Sequence, residues 1–437
     1  MHLEPLTLGI IMVVVLAVLI VLKFPIGFAF LLVGYFGYAA LRGWDSSFTL
    51  LASKVFSGTA HYLFTVVPLF ILMGELAYFS GLGEGLYGAL RAWLGKVKGG
   101  LAMATTIANA AFGAACGMPT AATAVFGRMA IPEMLDSKMD RSMAAGTVAA
   151  TSGLSAVIPP SIIVVIYGFI AVAPIHKLLI AGLLPGILTT GVVLGMISLR
   201  VRANPSLAPV SRITVPLQEK MRALKGVWAM MAVVVLVIVG IYMGIFTPTE
   251  AGAIGAAGIF VIGAIRRKFN RSNLREAFLM AARDSSVIFI IIGGIVFFSA
   301  FLSVSGVSTT LTNYVLGLSV PPIAVVIITM FIFLGLGTVL DPFSVLFLTI
   351  PLLAPVMNQL GINQIWYGVL AVKMATIGMF TPPVGVNCYM LKVVRPDLEL
   401  GEIFRGSIWF LGAEAIVMTL LVAFPQISLL LPGLMYG

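Results

Sequence analysis

Apolar residues dominate the chain in long runs between Leu6 and Leu431, and short polar segments separate these runs. A transmembrane helix needs about 20 consecutive apolar residues, and this chain supplies about ten or eleven such stretches together with several shorter ones. The pattern therefore predicts an all-α polytopic membrane protein built as one body, although the length alone would also allow two or three soluble domains.

The first apolar stretch, Leu6–Leu22, has no basic segment before it and no small-residue cleavage site after it, which favours a retained span over a signal peptide. Lys23 follows this stretch, and basic residues mark the cytoplasmic side of a membrane. We therefore expect the N-terminus on the outer side of the membrane and Lys23 on the inner side. Three stretches of mixed polarity are predicted to be interfacial helices, namely Ser46–His61, Gly83–Lys98 and Ser272–Arg283.

Prolines recur along the chain at a constant offset of 223 positions. About 0.6 matches would arise by chance at one offset, whereas this offset gives six. The matches pair Pro25 with Pro248, Pro119 with Pro342, Pro132 with Pro355, Pro159-Pro160 with Pro382-Pro383, and Pro209 with Pro432, the last of which is regarded as accidental. The chain is therefore predicted to consist of two halves of similar architecture.

The distribution of basic residues indicates that the two halves are inverted. The first span of half one ends at Lys23 on the inside, whereas the first span of half two, Val227–Ile245, starts after the basic loop from Arg200 to Lys225. An inverted-topology repeat is typical of secondary transporters.

Each half carries two apolar segments interrupted by small residues and proline, the sequence sign of discontinuous helices or re-entrant hairpins near the membrane midplane. Carbonyls freed at such breaks suit Na⁺, and amide-rich helix starts suit a carboxylate. Hydroxyl groups within the breaks add uncharged oxygen ligands for a monovalent cation. The four breaks are Asn109–Thr123, Thr151–Ser161, Leu334–Ser344 and Thr376–Asn387.

Ionisable residues within predicted spans are functional candidates by default. Asp341 precedes Pro342 inside the third break and is expected to belong to the site. Glu250 is expected either to cap a helix or to take part in transport. Glu75 and Lys373 are expected to pair with each other or to line a wet seam, and Glu414 is regarded as the most dispensable.

Composition and charge exclude other classes of protein. Hydrophobic residues make up 60% of the chain and charged residues 10%, against roughly a quarter charged in soluble domains. The net charge is +10, but 22 of the 26 Lys and Arg residues cluster between apolar runs without interleaved aromatic residues. These clusters mark membrane topology and do not indicate a nucleic-acid partner. Cys116 and Cys388 have no metal-binding or CxxC spacing.

Five segments form long motifs in a fixed order: Ser155–Gly168 (SAVIPPSIIVVIYG), Lys177–Leu188 (KLLIAGLLPGIL), Gly244–Ala256 (GIFTPTEAGAIGA), Gly337–Val356 (GTVLDPFSVLFLTIPLLAPV) and Gly378–Asn387 (GMFTPPVGVN). Across essentially the whole chain they resemble the large membrane subunit of TRAP (tripartite ATP-independent periplasmic) transporters. The resemblance implies a Na⁺-coupled elevator in the bacterial inner membrane, with a mobile transport domain held against a scaffold. It also implies a small membrane subunit, expected as a separate chain, and a periplasmic protein that delivers a small organic acid.

The same resemblance implies at least two bound Na⁺ ions. The first site would use Gly113, Cys116, Ser155, Ile158 and Pro160, and the second Gly337, Thr338, Gly378, Thr381 and Pro383. Gly113 and Cys116 stand where serines are frequent in the family, and Ser155 where glycine is frequent. Coordination by carbonyls would tolerate these changes, whereas coordination by serine hydroxyls would not. The organic anion is expected between the hairpin tips near Thr120, Asp341 and Asn387.

The predicted division follows the repeat. Residues 1–98 form scaffold spans and an arm, 99–175 the first hairpin and broken helix, 176–225 a linking span and basic loop, 226–317 the second scaffold part, 318–400 the second hairpin and broken helix, and 401–437 a C-terminal span.

Two alternatives remain open. A stand-alone Na⁺/carboxylate symporter would share the hairpins but need no binding protein. A membrane-embedded enzyme would need a nucleophile or metal with its base. His2, His61 and His176 all lie away from the breaks, and no Walker A motif occurs. We therefore expect no catalytic residue.

Overall fold

The protein is built from α-helices, as the apolar pattern predicts. The structure, a computed structural model, describes residues 4–209, 215–318 and 320–436, and every regular element in these ranges is helical. The helices of the first half are α1 (Pro5–Val21), α2 (Ile26–Arg42), α3 (Trp44–Thr59), α4 (Val66–Phe79), α5 (Leu82–Leu94), α6 (Gly100–Cys116), α7 (Pro119–Asp136), α8 (Arg141–Thr151), α9 (Ile162–Ile170), α10 (Ile175–Ala181) and α11 (Leu183–Ala203). Those of the second half are α12 (Leu217–Tyr242), α13 (Pro248–Ile265), α14 (Arg271–Ser305), α15 (Val307–Gly317), α16 (Pro322–Gly337), α17 (Pro342–Gln359), α18 (Gln364–Gly378), α19 (Val386–Val394), α20 (Leu400–Ala423) and α21 (Gln426–Tyr436).

Helix boundaries repeat at the same offset as the prolines. Helices α7 and α17 begin at Pro119 and Pro342 and have the same length of 18 residues. Proline suits the first position of a helix because its φ angle is already helical and its missing N–H would be unpaired there. Helix α8 with the 3₁₀ turn Ser152–Ala156 corresponds in the same way to α18, and α9 corresponds to α19.

The centre of the protein is formed by α8 and α18. Every residue from Ser142 to Thr151 and from Trp366 to Gly378 is buried, and a helix that is apolar or small on all faces belongs inside a protein. Helix α20 crosses α8 with backbones in contact, because a Cβ atom at Gly406 would lie 1.8 Å from the Ser142 carbonyl oxygen. Glycine is therefore required at this crossing.

The two halves exchange their broken helices. Helix α9 of the first half packs against α17 and α18 of the second, and α19 packs against α7 and α8 of the first. Each hairpin, α6–α7 or α16–α17, therefore contacts a short helix from the other half.

Outer helices surround this centre in two symmetric pairs. Helix α2 packs along α14, and α4 packs along α13. A Cβ atom at Gly294 would lie 2.5 Å from the Gly27 carbonyl oxygen, so the α2–α14 pair also depends on glycine. Small residues at helix crossings are the usual means of close packing in a membrane, where apolar surface alone gives little drive to associate.

Six helices in the described residues are long and apolar enough to cross a membrane, or seven if the bent pair α4–α5 forms one span. Shorter apolar helices are α1, α2, α6, α16 and the described part of α21. The number of helices long enough to cross the membrane is smaller than the number of apolar stretches in the sequence, because the breaks divide several stretches into shorter helices.

Two features depart from the repeat. Residues Ser272–Arg283, expected as a separate interfacial helix, form the start of the 35-residue helix α14, whereas α3 and α4 are separate helices in the first half. Helix α6 packs against α4, α5 and α12, but its counterpart α16 packs chiefly against α17 and α18. Phe331 on α16 is consequently 66% exposed.

Candidate functional site

The first hairpin turns at Gly117, where α6 ends and α7 begins two residues later. Gly117 has a φ angle of +64°, a left-handed conformation that glycine adopts without strain. Its N–H donates to the Gly113 carbonyl over 2.8 Å. The carboxyl end of one helix and the amino end of the next therefore meet at one buried point, with opposite partial charges.

The first broken helix lies directly against this turn. A Cβ atom at Gly113 would lie 2.5 Å from the Ser155 Cα atom, and one at Gly117 would lie 3.0 Å from the Pro160 carbonyl oxygen. All five residues predicted for the first ion site are buried: Gly113, Cys116, Ser155, Ile158 and Pro160. The structure thus brings together the hairpin turn and the break that sequence analysis assigned to one site.

The second hairpin meets the second broken helix in the same way. A Cβ atom at Gly378 would lie 2.4 Å from the Gly337 carbonyl carbon, and the Gly385 N–H donates to the Thr338 carbonyl over 2.7 Å. Thr381 is half-buried beyond the end of α18, whereas Pro383 is exposed. The Pro159–Pro160 and Pro382–Pro383 peptide bonds are both cis.

Hydroxyl groups at both breaks donate to carbonyls of their own helical turns. Ser155 Oγ donates to the Ser152 carbonyl over 2.7 Å, Thr338 Oγ1 to the Gly335 carbonyl over 2.8 Å, and Thr381 Oγ1 to the Ile377 carbonyl over 2.7 Å. Each hydroxyl oxygen keeps lone pairs for another partner. Within the described ranges, no group of three or more His, Cys, Asp or Glu residues could hold a metal ion.

Asn387 joins the two halves at the site. Its Nδ2 atom donates to the Ser152 hydroxyl over 3.0 Å and to the Ala149 carbonyl over 3.2 Å. Thr123 on the first hairpin also donates to the Ser152 hydroxyl, over 2.7 Å. Ser152, the common partner, lies in the second break but is not among the residues predicted for the site.

Two side-chain amide oxygens near the Asn387–Ser152 hydrogen bond have no partner in the described part of the chain. The Oδ1 atom of Asn387 is buried and has no hydrogen-bond partner among the described residues, and the same is true of Asn109 Oδ1, whose Nδ2 donates to Thr151 over 2.8 Å. A buried polar atom without a partner is costly. These two oxygens therefore suit a bound cation or a polar ligand.

The other predicted substrate residues occupy helix starts. Asp341 caps α17, where its Oδ1 accepts from the Ser344 N–H over 3.1 Å and its Oδ2 accepts from the Ser344 hydroxyl. Thr120 lies half-buried in the first turn of α7. Both residues thus lie at hairpin turns, and Asp341 also has a structural role as a helix cap.

Two expectations about ionisable residues are corrected. Lys373 pairs with Glu414, not with Glu75, through an Nζ–Oε2 distance of 2.6 Å, and both side chains are buried. Glu414 is therefore not dispensable, since its removal would leave an unpaired buried cation. Glu250 takes the helix-capping alternative, because it forms a capping box with Thr247 at the start of α13.

Two helical repeats, each with a hairpin packed on a broken helix, define an all-α polytopic membrane transporter. Structural comparison agrees with this class. The Alcanivorax borkumensis YdaH transporter aligns with a TM-score of 0.60 at 15% identity, covering 88% of this chain and 89% of that one. Neisseria gonorrhoeae MtrF, described as one of a class of antimetabolite efflux pumps, also gives 0.60 at 12% identity, covering 98% and 95%.

Residues 13–427 match the family model of the tripartite ATP-independent periplasmic transporter, DctM component, so the chain belongs to this family. It is 30% identical to the C4-dicarboxylate TRAP transporter large permease protein DctM of Pseudomonas aeruginosa, covering 88% of this chain and 89% of the relative. It is 28% identical to the sialic acid large permease protein SiaM of Vibrio cholerae, covering 94% and 96%. It is 30% identical to the isethionate permease protein DctMQ of Oleidesulfovibrio alaskensis, covering 86% of this chain and 59% of that one. The protein is thus a transporter permease and not an enzyme.

Proposed function

We propose that this chain is the permease subunit of a Na⁺-coupled secondary transporter that imports a small organic acid delivered by a periplasmic binding protein. The observation that carries the proposal is the pairing of each hairpin turn with a broken helix through direct backbone contact. Family membership supports a transporter that depends on a binding protein. The geometry of the breaks supports the choice of the coupling ion.

Na⁺ fits these breaks because it prefers uncharged or weakly charged oxygen ligands. The first ion would lie where Gly113 meets Ser155, and the second where Gly337 meets Gly378. Both places offer carbonyls at helix ends together with hydroxyl oxygens that keep free lone pairs. Since carbonyls can supply most ligands, serine is not required at positions 113 and 116.

The organic anion would bind between the two hairpin turns. The N-terminus of α7, with Thr120 in its first turn, would attract a carboxylate. Asp341 already places its own carboxylate at the N-terminus of α17 and would contact a hydroxyl group of the substrate or an ion. The buried Oδ1 atom of Asn387 would accept a hydrogen bond from the substrate or contact an ion. The relatives are named for C4-dicarboxylate, sialic acid and isethionate, which supports an organic anion without selecting one.

Elevator-type movement accounts for the unequal packing of the two hairpins. Helix α6 lies against outer helices of the protein, whereas α16 exposes its apolar face. Because the halves are equivalent in sequence pattern, an arrangement in which α16 is covered and α6 is released would have similar contacts. Two such arrangements would open the site to opposite sides of the membrane in turn.

The partners are a small membrane subunit and a periplasmic substrate-binding protein, with the permease in the bacterial inner membrane and both termini in the periplasm. The small subunit would be a separate chain. One relative, named DctMQ, is covered over only 59% of its length, so a fused arrangement also exists among similar proteins.

Uptake into proteoliposomes tests the proposal. Vesicles holding this chain and its small subunit are given radiolabelled succinate, sialic acid or isethionate, with or without an inward Na⁺ gradient and the binding protein, at constant membrane potential. Uptake that needs both the gradient and the binding protein supports the proposal. Uptake unchanged without Na⁺ rejects the coupling, and uptake without the binding protein identifies the stand-alone symporter instead.

A further inference from the structure

A polar cleft separates the first hairpin from the helix that precedes it. The cleft has a volume of about 680 Å³, with Gly88 and Arg91 of α5 on one wall and Val125, Arg128 and Met129 of α7 on the other. Tyr78, at the end of α4, also lines it. In the proposed orientation this cleft opens on the cytoplasmic side of the hairpin.

Two cations that line the cleft, Arg128 and Lys268, form no ion pair with a carboxylate among the described residues. Arg91 pairs with Glu133 over 2.5 Å, and Lys268 and Glu84 both lie near Gly81. Arg128 donates to the Tyr78 hydroxyl over 2.9 Å and forms no ion pair with any residue in the described ranges. A guanidinium has five N–H donors, so Arg128 retains the donors needed to bind a carboxylate in a two-pronged geometry.

Two buried polar atoms in the same cleft also lack partners. The Tyr87 side chain is 1% exposed, and its hydroxyl lies beside Thr105 and Glu133 without a hydrogen bond of normal geometry to either. The Glu133 Oε2 atom is buried and equally unpaired. A phenol and a carboxylate oxygen together can hold one ligand hydroxyl group, which accepts from the first and donates to the second.

The size of the cleft fits a small molecule. Its volume of about 680 Å³ exceeds that of a four-carbon hydroxy acid.

We propose that this cleft is a second, weak binding site for a small hydroxylated carboxylic acid, with Arg128 binding the carboxylate and Tyr87 and Glu133 binding the hydroxyl. It lies between the hairpin and α5, outside the ion and substrate positions described above. This inference deepens the proposed function and rests on it for one point. If the chain imports an organic acid, an acid bound in this cleft has already left the main site and is moving toward the cytoplasm.

A cysteine at position 88 tests the cleft directly. A Cβ atom at Gly88 meets no atom within 4 Å, and the native Cys116 and Cys388 are buried. The Gly88→Cys variant in nanodiscs is treated with methanethiosulfonate reagents that carry either a sulfonate or a trimethylammonium group. The cleft lining carries three cations, Arg91, Arg128 and Lys268, against the two carboxylates of Glu84 and Glu133. A net positive cleft attracts anions, so the sulfonate reagent should react several-fold faster.

Arg128→Gln added to Gly88→Cys should reduce that preference several-fold. Arg202→Gln, which removes an exposed arginine of α11 outside the cleft, should leave it unchanged and serves as the matched control. Equal rates for the two reagents, or equal effects of the two arginine variants, would overturn the proposal.

Ligand chemistry is tested by protection. Malate and succinate differ by one hydroxyl group, and malate should slow modification of Gly88→Cys at several-fold lower concentration than succinate. Tyr87→Phe, which removes a hydroxyl that has no partner, should abolish the difference. Equal protection by both acids, or none by either, would contradict the site. The measurement needs no ion gradient, so protection without Na⁺-driven uptake would reject the proposed function and leave this site standing.

Discussion

The Asn387 side-chain amide donates to the Ser152 hydroxyl over 3.0 Å, and the two residues come from opposite halves of the chain. Asn387 is the second residue of the short helix α19, and Ser152 begins the 3₁₀ turn after α8. The hydrogen bond therefore joins two broken helices at the point where each changes direction. It fixes the position of one half's break relative to the other.

Replacing Asn387 with alanine should destabilise the protein and abolish uptake. The variant loses hydrogen bonds to Ser152 and to the Ala149 carbonyl, and each typically contributes about 1 kcal/mol. Thermal unfolding in detergent and uptake in proteoliposomes measure the two effects. Thr190→Ala, which removes a hydroxyl bonded within its own helix, is the control. A variant that melts and transports like the parent would show that the junction is not required.

Glycine at position 337 should be required for normal Na⁺ affinity in transport, whereas glycine at position 335 should not. A Cβ atom at Gly337 would lie 2.6 Å from the Ala375 carbonyl oxygen, but one at Gly335 meets nothing within 4 Å. Gly337→Ala should therefore separate the hairpin from α18 and raise the Na⁺ concentration needed for half-maximal uptake. If Gly335→Ala and Gly337→Ala gave the same Na⁺ dependence, the second ion site would not lie at this contact.

Adding a single methyl group where α8 and α20 cross should destabilise the protein. Gly406→Ala places a Cβ atom 1.8 Å from the Ser142 carbonyl oxygen, and overpacking of this kind costs about 1–3 kcal/mol. Gly412→Ala lies on the same helix in open space and should leave the melting temperature unchanged or slightly higher. Equal melting temperatures for the two variants would mean that the helices separate without cost.

Removing one partner of the Lys373–Glu414 pair should destabilise the protein more than replacing both residues. Removing one partner of a buried pair typically costs about 3–5 kcal/mol, whereas replacing both with apolar residues is often neutral. Lys373→Met and Glu414→Leu should each lower the melting temperature strongly, and the double variant should recover most of the loss. Additive losses in a double-mutant cycle would rule out an energetic coupling between the two residues.

The loop between α19 and α20 should lose stability in acid. Two hydrogen bonds from Arg395, each 2.7 Å long, lower the pKa of Asp397 from 3.8 to about 2. Because the folded pKa is the lower one, the stabilisation is complete above the unfolded value and disappears as the pH falls toward 2. Asp397→Asn should therefore lower the melting temperature at pH 6, and the gap should close between pH 4 and pH 2. Asp45→Asn, on α3, controls for charge alone; a gap constant with pH would contradict the assignment.

The repeat could be predicted because proline and glycine leave positional marks that survive divergence of the apolar residues. The offset of 223 residues anticipated the matching starts of α7 and α17. The five residues assigned to the first ion site do lie together, although their role stays a prediction. Pro383 is exposed, unlike Pro160, so the two implied sites are not equally enclosed.

Other features depend on helix packing that one sequence does not specify. Lys373 and Glu414 lie on different apolar helices, and only the angle between α18 and α20 makes them neighbours. Ser152 is one of several small residues in its break, and nothing local distinguishes it as the partner of both Thr123 and Asn387. The unequal packing of α6 and α16 was also unpredictable, since a repeat in sequence implies equal surroundings.

Two of the contacts that join the halves, those of Asn387 and Gly406, have no residue of the same kind at the repeat offset. Where the second half has Asn387 and Gly406, the equivalent positions of the first hold Val164 and Leu183. Asn387 and Gly406 are supplied by the second half only, so two copies of the first half could not form these contacts. The two halves are therefore alike in pattern but not interchangeable.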